Sequence, residues 1–150
     1  MLSTPHLLVG AAIAKAVPNP LISLPAAFAS HFILDTIPHW DGAPKAPFGK
    51  FFYLLAGLDY LFGISLIWWF TRDNPQQIIL LFAAFSATAP DFLMGTYKNF
   101  NLPWNKWGWY VRFNEFHRGI QNNLKIAPGL ATSLVTSAVA IFIILKFTSF

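Results

Sequence analysis

The chain has 150 residues, 55% of them hydrophobic and 17% aromatic, and a formal net charge of +4. Only 11% are charged, against about 25% in an ordinary soluble domain, so too few charges exist to wet a soluble surface, and lipid is expected to cover much of it. Cysteine is absent, which excludes disulfides and thiolate metal ligands, and no basic cluster supports nucleic-acid binding.

Residues 4–17 read as a short apolar helix, with Thr4 as N-cap, Pro5 at its first position and a histidine, His6, in its first turn. No basic leader and no small-residue cleavage site accompany it, so it is not read as a signal peptide. The stretch "VPNP" breaks the chain at residues 17–20. Residues 20–38 resume an apolar run interrupted by Ser30, His31 and Asp35, so residues 4–38 are expected to form a helical hairpin. A helix needs about 20 apolar residues to cross the hydrocarbon core. Segments 51–70, 75–95 and 126–146 meet that length, and 20–38 is counted with them. The expected fold is therefore all-α, a polytopic membrane bundle of one domain over residues 1–150, with a short N-terminal helix and about four transmembrane helices. Residues 97–125 differ, because "NLPWNKWGWYVRF" mixes tryptophan, tyrosine and basic residues as interfacial segments do.

Basic residues predict orientation. The end where residues 17–20 turn carries Lys15, Arg72 and Lys146, and the opposite end carries Lys45, Lys50, Lys98, Lys106, Arg112, Arg118 and Lys125. The second end is expected to face the cytoplasm.

Polar residues concentrate toward that same end. His31 lies eleven residues beyond Pro20, roughly 16 Å at about 1.5 Å per residue. His6 reaches a similar depth on the antiparallel arm. Asp59 and Asp91 approach from other helices, and Glu115 and His117 belong to the interfacial segment. Carboxylates persist in apolar segments when they pair, bind a cation or line a wet cavity. His31 and Asp35 are four residues apart and share a helix face. Pro38 ends that helix and lets His39 bend back. His, Asp and His in this pattern suit zinc or a similar ion. A buried polar network that only fixes helix packing is the competing reading, and Asp41 fits a turn residue as well as a ligand.

The stretch "HFILDTIPH" resembles the helix that binds a metal cluster in zinc-dependent phospholipase C enzymes and single-strand nucleases, with a shorter gap between Asp and the last His. "TPHLLVGAAIA", "APDF" and "FHRGIQNN" together resemble a membrane branch of that superfamily, the bacterial inner-membrane metal-dependent hydrolases. The similarity covers residues 4–41 and 88–123. Asn122 stands where the family places a second histidine. The resemblance implies a divalent metal, zinc by preference, held by His6, His31, Asp35, His39, Asp91 and His117. It implies a membrane-embedded phosphoesterase with a membrane lipid as partner and a location in the inner membrane. Arg118 and Arg112, with Lys125, are the candidates to hold the substrate phosphate. Asp59 and Glu115 are the candidates to accept a proton from water. A transporter or channel for protons or metal ions is the alternative. It would require a homo-oligomer and polar residues continuing across the membrane, and a purely structural membrane protein is the third.

Overall fold

The computed structural model describes residues 1–40 and 49–146. The described chain is all-helical: α1 (Ser3–Ala16), α2 (Pro20–Thr36), α3 (Lys50–Thr71), α4 (Gln77–Asn99), a 3-10 turn (Pro103–Lys106), α5 (Gly108–Ile120) and α6 (Ile126–Lys146). Asp41 and Lys45 lie outside the described residues.

Local chemistry sets the boundaries. Asn19 caps α2, its side chain accepting from Leu21 N at 3.0 Å, and Pro20 supplies a first helical residue that needs no partner for its nitrogen. Ile37 is extended ahead of Pro38, whose ring disfavours the helical conformation in the residue before it, and α2 stops.

Helix α1 is the hub and packs against α2, α3, α4 and α6. Its buried face is Leu7, Leu8, Ala11 and Ala14, set against Ala83, Ala84 and Ala87 of α4 and against Ile67, Ala140 and Ile144. Small residues let the backbones approach, as they do generally between membrane helices. A Cβ at Gly10 would stand 2.5 Å from the Ala83 carbonyl oxygen and 2.7 Å from the Ala87 Cβ. The outer faces are apolar: Leu54, Leu58, Leu61 and Trp69 of α3, Phe82 of α4, and Leu134 and Phe142 of α6 are exposed. A soluble monomer rarely shows so much contiguous apolar surface.

Among the described residues three helices, α3, α4 and α6, are long and apolar enough to cross a membrane, one fewer than the four expected. These three mark the chain as a membrane protein. The difference is α2. Prolines bound it at 17 residues, about 26 Å of helix, and Ser23, Ser30, His31 and Asp35 turn inward from it.

Residues 97–125 contain more order than their sequence suggests. Tyr110, Asn114 and His117 line the buried face of α5. The Tyr110 hydroxyl donates to the Leu93 carbonyl at 2.5 Å and lies 2.7 Å from the Thr96 hydroxyl. That pins α5 to α4. Trp104, Trp107 and Trp109 face outward, as headgroup-level rings do.

Candidate metal centre

Three helices and one loop bring imidazoles around a single carboxylate, Asp35, and a fourth helix adds Asp91. The i, i+4 spacing on α2 sets His31 above Asp35, with His31 Nε2 3.2 Å from Asp35 Oδ2. The docking of α5 carries His117 in from the side, its Nε2 3.0 Å from the same oxygen. Phe32 flanks the pair, its ring edge-on to both His31 and His117. Asp91, at the turn after Pro90 in α4, places Oδ1 3.6 Å from His31 Nε2 and 3.7 Å from His117 Nε2. The two imidazole nitrogens are 2.9 Å apart.

The other oxygen of Asp35 has its own neighbours. His6 Nε2 is 3.2 Å from Oδ1 and His39 Nε2 is 3.9 Å from it. The Met1 amine lies 2.8 Å from Oδ1 and 2.6 Å from His39 Nε2. His6 stacks on His31, ring centroids 4.2 Å apart. His6, His31, Asp35, His39 and His117 are all buried, whereas the Asp91 side chain is 34% exposed and forms the mouth of the cluster.

Outer contacts fix which ring nitrogen faces inward. His31 Nδ1 is 2.7 Å from the Ala87 carbonyl oxygen, and His39 Nδ1 is 2.7 Å from that of Ile37. A carbonyl only accepts, so each Nδ1 carries the hydrogen, and the Nε2 lone pair of the neutral ring points at the cluster. Metal-ligating histidines are oriented in this way. His39 is held further by its backbone, which donates to Asn122 O at 3.0 Å and accepts from Leu124 N at 2.6 Å.

The donor set fits a cation. One ligand atom from each of His31, Asp35, Asp91 and His117 lies within 4.8 Å of the other three. Tetrahedral ligands about 2.0–2.1 Å from zinc stand about 3.3–3.4 Å from each other, close to the separations here. His6 Nε2 is buried and faces Asp35 Oδ1 at 3.2 Å without a well-aligned hydrogen bond. An orphaned buried donor or acceptor costs about 1–3 kcal/mol, so this imidazole nitrogen beside a buried carboxylate is what a cation would satisfy. These residues could hold a metal ion, and nitrogen and oxygen donors without sulfur suit zinc among others.

The remaining expected residues divide. Asp59 does not join the cluster. Its carboxylate accepts from Ser3 N at 2.6 Å, Thr4 N at 3.2 Å and Thr4 Oγ1 at 2.7 Å, so an acid of α3 caps α1. The depth estimate for Asp59 holds no information on the direction its helix turns it, and free helical N–H groups recruit it instead. Glu115 is exposed and makes no hydrogen bond or ion pair with the cluster among the described residues. It lines a small cleft with Arg118, Asn114, Lys98, Tyr97 and Met94. That cleft lies one turn beyond Asp91 on α4 and flanks His117 on α5. Arg112 and Lys125 are exposed outside it. Asn122 contributes its backbone to the clamp on His39, and the residue is exposed.

Sequence reasoning missed the Ala87 carbonyl, the 122–124 clamp and the Met1 amine. Backbone groups leave no residue-type signal, so only the adjacency of "IPH" to a proline-ended helix hinted at a held His39.

Comparisons with known protein families, curated proteins and solved structures give no match.

Proposed function

We propose that the chain is a membrane-embedded metal-dependent hydrolase, a phosphoesterase acting on a lipid or lipid-like substrate. The observation that carries this reading is the convergence of His31, Asp35, Asp91 and His117 donor atoms beneath a single exposed carboxylate, Asp91. His6 and His39 stand on the far oxygen of Asp35, outside the four converging donors, with the Met1 amine between His39 Nε2 and that oxygen. The resemblance of the His31–His39 stretch to the metal-binding helix of zinc-dependent phospholipase C enzymes, and of "TPHLLVGAAIA", "APDF" and "FHRGIQNN" to inner-membrane metal-dependent hydrolases, supports it, and the basic residues favour a site facing the cytoplasm.

His31, Asp35, Asp91 and His117 would hold the divalent ion, zinc by preference, which would supply a water acidified toward a pKa of about 7 and a Lewis acid for the phosphoryl group. The chain's own residues do the rest. Asp35 keeps the imidazoles on opposite sides of one carboxylate. Ala87 and Ile37 hold two of those rings in the tautomer that presents a lone pair. Arg118 lines the cleft next to Asp91 and holds the headgroup phosphate as that group enters, with Arg112 and Lys125 adding positive potential nearby. Glu115 shares the cleft but leaves α5 on a different face from His117, so no proton transfer at the cluster is assigned to it. Asp59 is assigned to capping α1 and not to proton transfer.

The core below the cluster speaks against an ion pathway. Leu7, Leu8, Ala11, Leu80, Ala83 and Ile144 close that side with aliphatic packing, and conduction needs polar groups continuing across.

The test is hydrolysis of long-chain lipid phosphates by purified protein, with and without chelator. Phosphate release that stops with chelator, returns with zinc and is absent in His31→Ala supports the reading. Release that persists in chelator and in His31→Ala refutes it.

A further inference from the structure

A second feature adjoins the cluster on its other flank. Helix α1 packs on both α2 and α6, and a furrow is left between those two. Ala12 and Ala16 of α1 floor it, Leu34 and Ile37 of α2 form one wall, and Val135 and Val139 of α6 form the other. Among the described residues, Thr136 is the sole polar one lining it. Val135, Val139 and Ile37 are exposed along it.

We infer that this furrow seats one acyl chain of the lipid substrate. The inference rests on the phosphoesterase reading and extends it by saying what the enzyme recognises besides phosphate. Three observations choose an acyl chain over other occupants. The first is continuity with the site. Leu34 directly precedes Asp35, and the carbonyl of Ile37 holds the His39 ring, so one end of the furrow abuts the cluster. The second is size. The furrow holds about 510 Å³, within the range of about 300–1,000 Å³ for small-molecule sites. A helix about 10 Å wide and 15 Å long needs roughly 1,200 Å³. The third is setting: α6 is apolar enough to cross a membrane, so hydrocarbon is the medium at its outer face.

The direction of the furrow fits its use. From Val135 to Val139 and on to Ile143, α6 runs away from the cluster end. Those eight residues cover about 12 Å. A chain lying there points into the hydrocarbon while its polar end stays at the cluster end of the bundle, where Asp91 is the partly exposed carboxylate. A phosphoester with a single long apolar tail engaged satisfies both ends.

The experiment places the protein in nanodiscs of phosphatidylcholine doped with phosphatidate whose acyl chain carries a diazirine. After illumination, labelled residues are mapped by mass spectrometry. Label concentrated on Val135, Val139 and Ile143, and at least fivefold weaker there in Val139→Trp and in Thr136→Phe, supports the inference. In parallel, hydrolysis of long-chain and four-carbon phosphatidate is compared, and Val139→Trp lowers the long-to-short rate ratio tenfold or more. Label spread evenly over the outer faces of α3 and α4 without enrichment in the furrow overturns it. Cross-links joining two copies through α2 and α6 overturn it too, since a second chain then fills the furrow. Should no phosphatidate be hydrolysed by the wild type, the phosphoesterase reading fails, and the labelling pattern alone decides whether the furrow holds a chain.

Discussion

Replacing Asp35 by asparagine removes one charge and almost no volume, so it isolates what the carboxylate does. In the wild type its two oxygens stand 3.0–3.2 Å from the Nε2 atoms of His6, His31 and His117. An amide places a neutral oxygen on one side and an N–H donor against imidazoles on the other. Partners outside the ligand shell are worth about 10–100-fold in metal affinity, so losing a carboxylate that touches the ion is set at 100-fold or more. With zinc at 1,000 times the wild-type dissociation constant, binding stabilises the fold by about 4.1 kcal/mol. A 100-fold loss leaves about 1.4 kcal/mol, a deficit of about 2.7 kcal/mol. For a chain of 150 residues, each kcal/mol shifts Tm by about 2–4 °C, so the zinc-induced gain in Tm should shrink by about 5–11 °C. Thermal unfolding followed by intrinsic fluorescence in detergent, with zinc and with chelator, reads this difference directly. An equal zinc-induced shift in wild type and Asp35→Asn would refute the placement of Asp35 at the centre of the ligand set.

Three further outcomes follow from the same geometry. Asp59→Ala removes the acceptor for the first backbone N–H groups of α1 and lowers stability by about 0.5–2 kcal/mol, as lost caps do, yet leaves the zinc-induced shift in Tm intact. Zinc affinity, measured by competition with a fluorescent chelator, falls as pH drops from 8 to 5 because protons compete for the imidazole lone pairs; a flat profile over that range contradicts histidine ligation. Arg118→Ala raises KM for long-chain phosphatidate severalfold with unchanged metal stoichiometry, and a normal KM would remove Arg118 from headgroup binding.

Much of the fold was legible because lipid-facing helices announce themselves by length and apolarity. Segments 51–70, 75–95 and 126–146 correspond to α3, α4 and α6 within a few residues. The same criterion overcounted at α2, where apolar residues are interleaved with Ser23, Ser30, His31 and Asp35, all buried against other helices. Helix α5 escaped notice for the complementary reason: its buried face is Tyr110, Asn114 and His117, a 3.6-residue period written in polar and aromatic residues.

Residue counting from the turn at residues 17–20 set His6 and His31 at one depth, and their rings stack. Counting gives depth along a helix and not rotation about it, which is why Asp59 belongs to the α1 cap although its depth is similar. Glu115 illustrates a further limit. It neighbours His117 by two residues, but on a helix that separation is about 200° of rotation, so the two side chains leave α5 on different faces. The carbonyls that orient His31 and His39 arise from tertiary contact and have no residue signature.

The central claim is that His31, Asp35, Asp91 and His117 hold a divalent ion. Elemental analysis of protein purified without added chelator tests it most directly, comparing wild type with a His31→Ala, His117→Ala double variant. The account predicts at least one zinc, or an equivalent divalent ion, per wild-type chain and a loss of that ion in the double variant. A wild-type chain without stoichiometric metal, or a double variant that keeps it all, would contradict it.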